Sequence, residues 1–138
     1  MNVSFSPEMA RVLAEKAKQV HLAGRELALF GEREPFLASD CGIEIGSLEA
    51  RTILSSGATG RVYEAADAAG RAGKPVVLAA GDVEAISRLE GVLAMASSKV
   101  AQKQAALESA EGPIARIGQF LGLAATAANV IGMVKQIL

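Results

Sequence analysis

Apolar residues recur at alternating spacings of three and four over two long stretches near the end of the chain. The first stripe runs through Ile86, Leu89, Leu93, Ala96 and Val100, breaks at Lys103, and resumes at Leu107 and Ala110. The second runs through Ile114, Ile117, Leu121, Ala124, Ala128 and Ile131, breaks at Lys135, and closes on Leu138. Such spacing gives each helix one face for a partner. Between the stripes, Gly112 suits the left-handed conformation that ends a helix and Pro113 the first helical position, where its missing N–H was unpaired anyway. The pattern predicts an antiparallel helical hairpin over 82–138, with arms of ~35–45 Å. Asp82 is its expected N-cap.

A third stripe of this kind lies at the start of the chain. Met9, Leu13, Val20, Ala23, Leu27 and Phe30 form it, Val12, Leu22 and Leu29 widen it, and Lys16 interrupts it. Ser6, Pro7 and Glu8 read as an N-cap, a proline at the first helical position and an acid in the first turn. Gly31, ahead of Glu32-Arg33-Glu34-Pro35, is the expected stop, so a long helix is predicted over 6–31. Lys16, Lys103 and Lys135 are expected to snorkel from the rim of the core, with a role in setting helix register as the alternative.

The middle, 32–81, has a shorter pattern. Ile43-Glu44-Ile45, between Gly42 and Gly46, alternates as a brief strand does, and Ser47 can cap a short helix through Leu48, Ala50, Ile53 and Leu54. Arg61 to Ala72 is rich in alanine and reads as a helix ending at Gly73. Pro75 to Ala80 is a short apolar run, either a buried strand or an extended linker. Asn2 to Phe5 reads as an extended lead. The expected fold is therefore a single, mostly α domain in which a long N-terminal helix packs with a C-terminal hairpin around a compact middle holding one or two short strands.

Composition narrows the function classes. The 138 residues suffice for one domain with a real core. A net charge of −1 lacks the basic footprint of a nucleic-acid binder, so no nucleic-acid partner is expected. Hydrophobic residues make up 51% and aromatic ones 4%, with no tryptophan, which favours close helix packing over an aromatic-lined ligand pocket. The residues after Met1 lack the basic start, apolar core and cleavage site of a secretory signal. Cytoplasmic synthesis is the default expectation, with export by a route without such a signal, or membrane association, as alternatives.

Candidate chemistry is sparse. Cys41 is the single cysteine and His21 the single histidine, which excludes an internal disulfide and a histidine metal pair, and no metal site is expected. Asp40 beside Cys41 would raise the thiol pKa, so a buried structural thiol is expected. Asp40, Glu44 and Glu49 read as solvated charges. The run Thr52 to Val62, with Gly57, Thr59 and Gly60, resembles the opening strand and glycine turn of the dinucleotide-binding short-chain dehydrogenase/reductase family, with Pro75 to Ala80 as the second strand and Asp82 near its end. The resemblance implies that Gly57 and Gly60 let a pyrophosphate approach a helix N-terminus, making Gly57, Thr59 and Gly60 candidate cofactor-binding residues. Tyr63 stands where the family carries a third glycine, and the residues after Asp82 read as a helical hairpin rather than as further strands.

The reading that unites these observations is a small helical interaction or assembly protein, not an enzyme and without a cofactor, that self-associates as a homo-oligomer or docks to another helical protein. The apolar face of Pro113 to Leu138 supplies the candidate contact residues Ile117, Phe120, Leu121, Leu123, Ile131 and Val134. The uncharged run from Gly118 to Val134 carries the alternative of a membrane-active or membrane-anchored hairpin of a secretion or toxin system. A small nucleotide-binding enzyme using Ser55 to Gly60 is the second alternative.

Overall fold

The structure, a computed structural model, describes residues 1–107 and 112–126. Among them are two strands and six helices in the order β1 (Asn2–Phe5), α1 (Pro7–Arg33), α2 (Pro35–Cys41), α3 (Glu44–Ser55), α4 (Ala58–Ala72), β2 (Val76–Ala79), α5 (Ala80–Leu107) and α6 (Pro113–Thr126).

The central element is α1. It starts as its sequence dictates, with the Ser6 hydroxyl accepting from the Met9 N–H at 3.2 Å and Pro7 in the first turn. Ala10, Leu13, Ala17, Val20, Ala23 and Leu27 are buried along one side. The many small residues among them let neighbours come close, and α3, α4, α5 and α6 all pack on α1. The hub of the fold is thus the first helix rather than the C-terminal hairpin. Its stripe is also narrower than expected, since Val12 and Leu22 are exposed.

Gly31 does not end α1, which continues to Arg33. It is where α3 crosses: a Cβ added there would collide with the Ser47 hydroxyl and stand 2.7 Å from Ser47 Cβ. The stop comes from Pro35, which drives Glu34 out of the helical region (φ −129°, ψ 60°) and then opens α2.

The expected strand Ile43–Ile45 is absent. Gly42 takes a left-handed conformation (φ 75°) to end α2, and the Ile43 N–H reaches back to the Ala38 carbonyl at 2.9 Å. Ile43 is buried, and Glu44 begins α3. Ser47 is no cap. It lies inside α3, facing α1, with its hydroxyl 3.4 Å from the Ala28 carbonyl oxygen.

Thr52 to Ser55 form the last turn of α3, so the glycine turn joins two helices and not a strand to a helix. Gly57, at φ 78°, supplies the reversal. The later strand β2 pairs antiparallel with β1, Asn2 opposite Ala79 and Phe5 opposite Val76. A dinucleotide-binding unit needs parallel strands about a crossover helix, and these residues build none.

The hairpin matches the heptad pattern as far as it is described. Ile86, Leu89, Leu93, Ala96 and Val100 of α5 are buried, as are Ile114, Ile117 and Leu121 of α6. Gly118 lies against Val100 and Gln104, where an added Cβ would be 3.4 and 3.1 Å from their side chains. The first arm starts at Ala80, so Asp82 sits in its first turn and is not the cap. Arg61 grips its carboxylate with two bonds, Nε to Oδ2 at 3.1 Å and Nη2 to Oδ1 at 2.9 Å, and this raises the guanidinium pKa.

Two of the three interrupting lysines are paired. Lys103 reaches Asp40 at 2.6 Å, which raises its pKa through the hydrogen bond and ties α5 to the end of α2. Lys16 does not snorkel: its side chain is 5% exposed and meets Glu90 of α5 at 3.2 Å. Lys135 lies outside the described residues.

Candidate functional site

Along α3 the buried positions are Ser47, Ala50 and Ile53. Ile45 and Leu48 point the other way, and they do not meet a covering element. They are 71% and 56% exposed. On α5, Met95 is likewise outside the buried stripe and 63% exposed. These three side chains line one cleft between α3 and α5, of about 850 Å³.

The two walls run antiparallel. Lys99 of α5 donates to the Gly42 carbonyl at 3.0 Å at one end, and Val92 lies 3.6 Å from the place of a Cβ on Gly46 further along. Ile43, Ile53 and Ala96, all buried, line the cleft as well. Both walls are bare of side chains in places, at Gly46 and Gly91. Arg88 and Glu49 line it together on opposite walls, and neither is in an ion pair among the described residues. An open apolar trough bounded by helices and edged by a few charges is suited to the apolar face of another helix.

The residues expected to act from α6 lie elsewhere. Ile117 and Leu121 are in the protein's own core, where α6 packs on α1 and α5. Phe120 and Leu123 belong to α6, while Ile131 and Val134 fall outside the described residues. No helix among the described residues is long and apolar enough to cross a membrane.

The glycine-turn residues are likewise placed for structure. Thr59 is buried and its hydroxyl is 2.8 Å from His21 Nδ1, joining α4 to α1. Arg61 Nη1 donates to the Ser56 carbonyl at 2.9 Å and lies over Gly57, so a side chain already occupies the turn. Among the described residues no group of three or more His, Cys, Asp or Glu could hold a metal ion. Asp40 and Glu49 are set apart, one tied to Lys103 and the other on the cleft.

Cys41 is buried, and burial pushes its thiol pKa up, with Lys103 opposing and Asp40 adding to the shift. Its reaction with iodoacetamide is expected to be at least tenfold slower in the folded protein than in denaturant at the same pH. Mass spectrometry of quenched samples measures this directly, and equal rates would contradict the placement.

The cleft residues Ile45, Leu48 and Met95 do not stand out as a surface in the sequence. A signal exists in α3, where Ile45 and Leu48 fall on the face opposite Ser47, Ala50 and Ile53. No protein-family model, curated protein or solved structure matches the chain.

Proposed function

We propose that this chain is a helical interaction protein that works by seating an apolar helical surface of another protein chain in the cleft between α3 and α5. One observation carries the proposal: Ile45, Leu48 and Met95, each more than half exposed, converge on a single trough. Covering an aliphatic side chain of this size contributes about 1.5–3 kcal/mol. Three in one trough therefore make the core of a binding site, and an exposed apolar patch edged by charge is the usual mark of one. The contact surface moves from α6 to this cleft because α1 and α5 already claim the buried face of α6.

A photo-crosslinking amino acid placed at Leu48 in the expressing cell tests the reading. It is expected to give a protein adduct of defined mass, whereas the same group at the exposed Ala68 of α4 should give none. The absence of any adduct from positions 45, 48 and 95 would overturn the proposal.

A further inference from the structure

We infer that the chain seated in the cleft is a second copy of this one, related by a two-fold axis running along the cleft, with α3 of each copy lying on α5 of the other. This rests on the docking reading above and names its partner.

Gly46 and Val92 face each other across the cleft and so stand at one level. Glu49 lies three residues beyond Gly46, and Arg88 lies four before Val92 on a helix running the opposite way. At ~1.5 Å per residue, both sit roughly 5 Å toward the same end. Each lines the cleft, on opposite walls, without forming an ion pair among the described residues.

A two-fold rotation about an axis along the cleft keeps each residue at its level and exchanges the walls. Glu49 of one copy then lies over Arg88 of the other, and the same contact recurs by symmetry. A rotation about an axis across the cleft instead sets α3 on α3 and α5 on α5 and reverses the levels, so that with the axis at the level of this pair acid lies over acid and base over base. Of the two, the lengthwise axis alone sets Glu49 over Arg88, and that arrangement also sets Ile45 and Leu48 against the wall that carries Met95. The result is a four-helix layer of antiparallel neighbours.

Gly91 fits close approach of a helix at this point of the cleft. It sits in the interior of α5, where glycine weakens a helix relative to alanine, and a Cβ added there would meet nothing within 4 Å. The fold of one copy therefore gives no packing reason for a glycine at this point of the cleft. Close approach of an outside helix does.

The test uses the intact chain and light scattering with sedimentation equilibrium over a range of concentrations. The parent is expected to be a dimer. Glu49→Arg or Arg88→Glu alone places like charges opposite each other at both symmetric sites, and each should weaken the dimer about tenfold. The double variant Glu49→Arg with Arg88→Glu reverses both pairs and should return the affinity toward that of the parent. Gly91→Leu should leave helix content intact, having open space, and should abolish the dimer.

A dimer indifferent to the single charge reversals, or one that the double variant fails to restore, overturns the arrangement. A parent that stays monomeric at every concentration overturns self-association itself. The two readings separate through the crosslinker at Leu48. An adduct with a different protein would then leave the docking reading standing and this one lost, and no adduct would remove both.

Discussion

Replacing Lys16 by methionine is expected to lower the free energy of unfolding by about 3–5 kcal/mol, read from chemical denaturation beside the parent. The ammonium group of Lys16 lies 3.2 Å from Glu90 Oε2, with the two side chains 5% and 13% exposed. Among the described residues nothing donates to the other carboxylate oxygen, Oε1, which is buried. Removing the lysine leaves that carboxylate charged in a poorly polarisable surrounding with its main counter-charge gone. The cost is the desolvation of Glu90 more than the loss of an attraction.

A second variant separates these. Lys16→Met combined with Glu90→Leu removes both charges and should recover most of the loss, because a buried pair exchanged for apolar side chains of similar volume is often neutral or better. If the double variant is as unstable as the single one, the stranded charge is not the cause.

Gly31→Ala should cost about 1–3 kcal/mol, although alanine in a helix interior ordinarily gains on glycine. The gain is overridden because the new methyl group would collide with the Ser47 hydroxyl and stand 2.7 Å from Ser47 Cβ. Serine is too short to swing aside, so α1 and α3 must separate. Adding Ser47→Gly removes both obstructing atoms. A double-mutant cycle on thermal or denaturant unfolding should then show a coupling of about 0.5–3 kcal/mol between the two positions. Independent, additive effects would mean that the crossing is not limited by this contact.

These two sites mark where the sequence is legible and where it is not. The long helices can be read because their apolar period reports burial directly: Leu13, Val20 and Leu27, then Leu89, Leu93 and Val100, are all in the core. The helix start at Ser6-Pro7 can be read because capping is local chemistry. Gly31 cannot, since a glycine that ends a helix and one that admits a crossing helix look alike until the partner is known. Gly42 and Gly73 end helices, while Gly31 does not.

Lys16 is illegible for the same reason, because its partner Glu90 is distant in sequence. The cleft is hidden in a different way. Ile45, Leu48 and Met95 are chemically the same as core residues, and only the arrangement of the helices shows which aliphatic side chains have been left without cover. Conversely, Ile117 and Leu121 resemble a free surface until α1 is seen to pack on α6.

The pairing of Asn2–Phe5 with Val76–Ala79 also orders events at birth. At a synthesis rate of ~5–20 residues per second, Val3 and Phe5 are made roughly 4–15 s before the strand that pairs with them. Throughout that interval the apolar side of α1 is also waiting for α5 and α6. β1 and α1 are therefore left for seconds without their partners, where holdase chaperones would find them, and a message truncated ahead of Val76 would leave them in that condition for good.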